Sequence, residues 1–264
     1  MPHALSVRQW LVSTSKRTIV LVHGGGEHSG RYEETARRLN QEGFSVVAPD
    51  LRGHGRSPGQ RGHVLRFEEY LEDVAACLAR DVPADQRPPI LLGHSLGGLV
   101  CTYYAIAHPE MIRCLVLSSP LWGLNVPVPA WKHAVACSLS TVWPSFAMRR
   151  PVHAGEVLSH DPQVKTSYLN DPLVHFTVSC RFYTEMRARL EQLPRVLPQF
   201  TVPVLVLQAG EDRIASADAT RQLFSLVGSA QKRLIVYDGL YHEILNEVEK
   251  ERAIQDLVTW VRSL

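Results

Sequence analysis

The stretch Gly93-His94-Ser95-Leu96-Gly97 places a serine between two glycines, each two positions away. A hydroxyl is a weak nucleophile until a base takes its proton, so the chemistry requires a serine presented to such a base. The same Gly-x-Ser-x-Gly spacing recurs at Gly55-Arg56-Ser57-Pro58-Gly59, and spacing alone therefore does not choose between them. Context does. Ser95 follows the apolar run Ile90, Leu91, Leu92 and precedes a helix-like segment carrying Leu96, Leu99, Val100, Tyr103 and Tyr104. Strand, sharp turn and helix make a nucleophile elbow, in which glycines let the strand and helix approach closely. The serine oxygen then lies at a helix N-terminus, whose dipole favours developing negative charge. Ser57 sits instead in a glycine-rich loop, and Pro58 lacks the N–H that an oxyanion needs from the residue after the nucleophile.

In an elbow enzyme the partners follow in the order serine, acid, histidine, each after a later strand. Beyond the apolar run at residues 202–210 one histidine remains, His242, in the stretch YDGLYHEILNE. Asp212, in QAGEDRIAS, directly follows that run and is the preferred acid, with Asp238 as runner-up and Glu211 and Asp218 as weaker rivals. The other position where such enzymes carry the acid is empty, because LSSPLWGLN (117–125) has no carboxylate. Three glycines in HGGGEHSGRY (23–32) let the backbone approach a substrate, so the Gly25 N–H can join that of Leu96 in holding an oxyanion. The loop lacks both the G-x-G-x-x-G spacing and a following Gly-Lys-Ser/Thr, which argues against a nucleotide site. HEILNE lacks the second histidine of H-E-x-x-H, which argues against zinc. No metal and no cofactor is expected.

These residues need a frame. Six short apolar runs, at 18–24, 44–50, 88–95, 114–120, 202–210 and 232–239, read as strands without strict alternation, as in a parallel sheet covered on both faces. Amphipathic segments at 31–41, 67–80, 96–107, 217–227 and 247–261 alternate with them. In the last, Val248, Ile254, Leu257, Val258 and Val261 are expected along one stripe. From Leu121 to about Pro198 no strand pattern appears, and helix-like pieces at 130–142 and 176–193 take its place. So long a segment is too much for a connection in a compact core. It reads as a helical cap (121–198) inserted into a core formed by 1–120 and 199–264.

Composition narrows the classes. A hydrophobic fraction of 45%, a charged fraction of 20% and a net charge of +2 fit a soluble globular protein with no basic stripe for nucleic acid. Five cysteines without C-x-x-C spacing suggest reduced thiols and a reducing compartment. The first residues lack a signal-peptide layout, so a cytoplasmic protein is expected.

Taken together, HGGGEHSGRY, VVAPDLRGHGRSPG, GHSLGG, SHDP…YLNDPL, GEDRI and YHEILNE resemble the monoacylglycerol lipase and lysophospholipase branch of the α/β-hydrolase superfamily. The resemblance runs from about His23 to the C-terminus. It implies an α/β-hydrolase fold, a triad of Ser95, Asp212 and His242, an oxyanion hole at Gly25 and Leu96, and a cap between the sixth and seventh core strands. One strand's worth of residues precedes TIVLVHG where the family carries an antiparallel pair, so the sheet is expected to lack its first strand. Tyr168 matches a polar cap position that contacts a glycerol head group, whereas Val164 stands where an acidic contact is usual.

The first half of the cap is strongly apolar: Leu121, Trp122, Leu124, Val126, Val128, Trp131, Val135, Leu139, Val142, Trp143 and Phe146. Trp131, Val135, Leu139, Val142 and Phe146 share one helical face. Half of that face is expected to pack on the core. The remainder suits an acyl-chain tunnel or contact with a membrane surface, with Trp122, Leu124, Trp131 and Tyr168 as candidate substrate contacts. The expected activity is hydrolysis of medium or long acyl esters. A broad carboxylesterase, lysophospholipase, thioesterase or acyltransferase remains open on the same triad, as does a non-catalytic ligand-binding receptor.

Overall fold

The computed structural model describes residues 5–125, 128–149 and 157–264. Along the chain, β1 (Val7–Trp10) and β2 (Thr18–Val22) lead into α1 (Glu33–Gln41) and β3 (Ser45–Pro49). Then come α2 (Glu68–Asp81), β4 (Ile90–His94), α3 (Leu96–Ala107) and β5 (Cys114–Ser118). The segment that follows carries α4 (Ala130–Val142), β6 (Ala147–Arg149), α5 (Pro162–Asn170), β7 (Thr177–Ser179) and α6 (Cys180–Val196). The chain returns through β8 (Val204–Ala209), α7 (Ala217–Ser225), β9 (Lys232–Tyr237) and α8 (Lys250–Arg262).

Seven strands form one sheet in the order β1-β3-β2-β4-β5-β8-β9. All neighbours run parallel except β1, which pairs antiparallel with β3. Every residue of β2, β3, β4, β5 and β8 is buried, which explains why these runs are continuously apolar rather than alternating. On one face α2, α3 and α6 close a core with Val74, Leu99, Val100 and Phe182. On the other, α1 and α8 contribute Leu39, Ile254, Leu257 and Val261. Strand order reverses between β2 and β4, and the loops leaving their C-terminal ends therefore part there and open a crevice. Those two loops carry the Gly24–Gly26 glycines and Ser95.

Three expectations change. The segment between β5 and β8 is not wholly helical, because β6 and β7 pair antiparallel within it. Three residues each are too few for a period to register in the sequence. The helix expected over 176–193 begins at Cys180, after β7. A single strand, β1, precedes β2, so the sheet lacks the family's first strand as expected, and the segment between its fifth and sixth strands occupies the position that the resemblance implies. Val248 lies ahead of α8 and is 63% exposed, so Ala253 and Trp260 complete the buried stripe instead.

The apolar face of α4 divides in line with expectation: Leu139, and Phe146 just beyond the helix, pack partly buried against the core, while the rest of the stripe turns outward. Its buried residues are Ala136 and Ser140, whereas Trp131, Val135 and Val142 are exposed. Trp143 and Val128, flanking the helix, are exposed too, and Val126 lies outside the described residues. Periodicity reported an apolar stripe correctly but not what covers it. Among the described residues no helix is long and apolar enough to cross a membrane.

Candidate active site

Ser95 follows β4 and caps α3 with φ 52° and ψ −117°, a left-handed conformation costly for a residue with a Cβ. Its neighbours hold it there. The Ser95 N–H donates to Ser118 O at 3.0 Å, while its carbonyl accepts from Leu99 N at 3.1 Å and Leu121 N at 2.9 Å. The flanking glycines leave the room that this turn requires. A Cβ on Gly93 would lie 2.6 Å from Gly97 O, and one on Gly97 would collide with the carbonyls of Val22 and His23 at the end of β2.

The Ser95 Oγ lies 2.9 Å from His242 Nε2, although the two residues are 147 positions apart in the chain. His242 Nδ1 in turn lies 2.7 Å from Asp212 Oδ2. With Asp212 ionised, Nδ1 carries the proton and Nε2 is left to accept from the serine hydroxyl. The other Asp212 oxygen accepts from the backbone N–H groups of Ile214 at 2.9 Å and Ala215 at 2.8 Å. Burial alone would raise the Asp212 carboxyl, but His242 and these N–H donors outweigh it and hold it below the ordinary range. Burial likewise opposes the imidazolium of His242, yet Asp212, with Glu243 and Glu27 behind it, raises its pKa above 6.5.

The loop after β2 closes against the elbow. A Cβ on Gly24 would lie 3.3 Å from Ser95 Cβ, and one on Gly25 would lie 3.6 Å from Leu96 Cβ. The backbones of Gly25 and Leu96 are thus adjacent, and Leu96 is the first residue of α3, where helical N–H groups point outward. His23 is fully buried and accepts from Leu51 N on Nε2 at 3.0 Å, so its proton resides on Nδ1, donated to Gly24 O. Burial lowers its pKa, and it is neutral.

Sequence reasoning missed a charged cluster behind this loop. Arg31 donates to Glu27 Oε2 at 2.6 Å and to both oxygens of Glu243, at 2.6 and 2.8 Å. Glu27 Oε1 accepts from Gly24 N at 2.6 Å and from Tyr32 OH at 2.7 Å. Burial would raise the Glu27 carboxyl, but Arg31 together with the neighbouring imidazoles and the Tyr32 hydroxyl outweighs it and holds the group at about 2. His94, next to the nucleophile, has its ring centroid 4.8 Å from that of His242, and burial aided by His242 pushes its pKa down to about 4. The i,i+4 spacing of Glu27 and Arg31, and the adjacency of Glu243 to His242, were the available signals.

The candidate substrate contacts fall in different places. Tyr168 is buried beneath Arg31, whose guanidinium lies 4.6 Å from the ring centroid. Leu124 is half-buried and forms an isolated bridge with Ala215, just beyond Asp212. Trp122 is buried in the core, its indole N–H donating to Thr102 Oγ1 at 3.1 Å. Trp131, at 66% exposed, faces solvent on α4.

A parallel sheet flanked by helices, with a serine on the strand-to-helix turn after β4, defines the α/β-hydrolase class. The Hydrolase_4 family model, described as serine aminopeptidase, S33, matches residues 13–249. The chain belongs to this family. It is 34% identical over 259 residues to a monoacylglycerol lipase of Mycolicibacterium smegmatis, covering 96% of this chain and 91% of the relative. A phospholipase of Bacillus subtilis is 32% identical, with 92% and 93% covered. The crystal structure of Paleococcus ferrophilus monoacylglycerol lipase superposes with a TM-score of 0.89 at 32% identity, covering 98% of this chain and 99% of that one.

Proposed function

We propose that this chain hydrolyses carboxylic esters of single medium or long acyl chains, monoacylglycerol-like substrates first, through an acyl-enzyme on Ser95. His242 Nε2 takes the Ser95 proton as Oγ attacks the ester carbonyl. Asp212 holds the imidazole tautomer and stabilises the imidazolium. The Gly25 and Leu96 N–H groups receive the oxyanion of the tetrahedral intermediate. His242 then gives its proton to the departing alcohol, and water, activated by the same base, releases the acid. The observation that carries this reading is the continuous path Ser95 Oγ–His242 Nε2 at 2.9 Å and His242 Nδ1–Asp212 Oδ2 at 2.7 Å. A fluorophosphonate probe should label Ser95 in the native protein and not in Ser95→Ala. Absence of an adduct at Ser95 would instead favour a ligand-binding receptor.

Residues 121–198 act as the cap over this site, with Tyr168 and Leu124 offered as substrate contacts. Burial of an alkyl chain is worth about 0.8 kcal/mol per methylene, so a medium chain can supply most of the binding energy. A series of 4-nitrophenyl esters should accordingly rise in kcat/KM beyond acetate. An optimum at acetate argues against an acyl site. The buried carboxylates Glu27 and Glu243 are both bonded to Arg31, which leaves them ill suited to a substrate ammonium and supports ester over aminopeptide cleavage. The relative that is a phospholipase keeps a lysophospholipid as the second substrate to assay.

The exposed stripe Trp131, Val135 and Val142, with Trp143 beside it, supports transient docking of α4 on a lipid surface. The helix contains Lys132 and no carboxylate, a charge balance suited to anionic lipid. Replacing Trp131 and Trp143 together by alanine should weaken sedimentation with phosphatidylglycerol vesicles. Hydrolysis of a short water-soluble ester should be unchanged.

A further inference from the structure

The base His242 stands in an irregular loop between β9 and α8, where no ladder or helix holds it in register with the elbow. The residue after it is Glu243, gripped by two parallel bonds from Arg31, a geometry that fixes orientation as well as distance. The same guanidinium holds Glu27, and Glu27 holds Gly24 N, the neighbour of the oxyanion donor Gly25. An unbroken path of polar contacts thus joins the loop of the base to the loop of the oxyanion donor. The Arg31, Glu27 and Glu243 side chains are nearly wholly buried, so neither water nor salt screens them well.

The charges do not cancel. Two carboxylates face one guanidinium, which leaves a net −1 in a buried cluster beside His242. Tyr32 donates to Glu27 without bringing charge. The groups facing His242 from packed elements are Asp212 after β8, His94 at the end of β4, Glu27 after β2 and Glu243 on its own loop. His94 is neutral at physiological pH, so apart from Arg31 no cation in that set opposes the carboxylates. Resting on the assignment of His242 as the base, we propose that Glu243, Arg31 and Glu27 are positioning residues that register the base against the oxyanion loop. Their surplus negative charge also stabilises the imidazolium formed in the transition state. Asp212 does not act alone. Both carboxylates raise the His242 pKa, in the order Glu243 then Glu27.

The sign of the charge separates this role from simple bracing. Glu243→Gln keeps the shape and an acceptor for Arg31 but removes a negative charge. The acid limb of kcat/KM, which follows His242 in the free enzyme, should move to lower pH, with the plateau falling roughly tenfold. Arg31→Gln removes the opposing cation and should move the limb to higher pH, again with a lower plateau. Arg31→Lys restores the charge without the paired bonds, so its limb should return to the wild-type position while the plateau stays depressed. Should Arg31→Gln fail to fold, Glu27→Gln replaces it, with a downward shift smaller than that of Glu243→Gln. Thermal unfolding of each variant monitors folding. Limbs that coincide with wild type, or that move together for Glu243→Gln and Arg31→Gln, overturn the proposal. Each preparation is also titrated with the fluorophosphonate: labelling at Ser95 with unmoved limbs sinks the cluster alone, whereas wild-type activity without labelling sinks the assignment of the base.

Discussion

Two stretches of this chain share the Gly-x-Ser-x-Gly spacing, and the structure puts them to opposite uses. Both serines are buried, Ser95 at 8% exposure and Ser57 at 3%, so burial does not separate them. Ser95 Oγ meets an imidazole, whereas Ser57 Oγ donates to Asp50 O at 2.6 Å and accepts from Ser6 N at 2.9 Å. Ser57 thus staples the start of β1 to the end of β3. The glycines differ as sharply. Gly93 and Gly97 are needed because strand and helix leave no room for a Cβ. Gly55 and Gly59 are needed for the backbone itself, at φ 50° and 110°, and at Gly55 a Cβ would in addition collide with the Asp50 carboxylate. One spacing serves two physical demands, crowding alone in the first case and chain reversal at positive φ in the second.

The largest expected break in the comparison comes from the serines themselves. Ser95→Ala should lower kcat by roughly a millionfold, as loss of a triad member does, with the thermal midpoint little changed. Ser57→Ala should leave kcat/KM within about twofold, and residual esterase activity in Ser95→Ala alongside a dead Ser57→Ala would reverse the assignment. The glycines come next. Gly97→Ala must push α3 from β2 and shift Ser95, so kcat/KM should fall at least about a hundredfold, measurable on any short ester. Gly59→Ala should cost about 1–2 kcal/mol by urea unfolding without changing kcat/KM in the folded enzyme.

The smaller effects sharpen the contrast. Because His242 is raised above 6.5, the acid limb of kcat/KM should lie above that pH, the neutral base being populated only as pH rises through the shifted value. Ser57→Ala should leave that limb where it is, and a displaced limb in this variant would connect its loop to the base. The smallest change is in stability. Loss of the Ser57 hydroxyl removes one bond and leaves Ser6 N without it, which should cost about 1–2 kcal/mol in urea unfolding.

What the amino-acid order determines by itself is the set of local decisions. Continuous β-branched and aliphatic runs specify buried strands, and α3 and α4 start and end where their patterns say, because these signals act over a few residues. The elbow is legible for the same reason, its strand, turn and helix being contiguous. The chain order of the three triad candidates could be read as well, although Asp238 remained a rival to Asp212. Only the folded sheet decides between them, since it sets which strand end points at His242 Nδ1, and that is Asp212. Tertiary structure also decides which part of the α4 stripe is covered, Leu139 on the core and Trp131, Val135 and Val142 in solvent, because a stripe in sequence reports composition and not what covers it. The Glu27–Arg31–Glu243 cluster belongs to the same category. Its partners are separated by 212 residues between Arg31 and Glu243, and their charges acquire meaning only when packing removes the water between them.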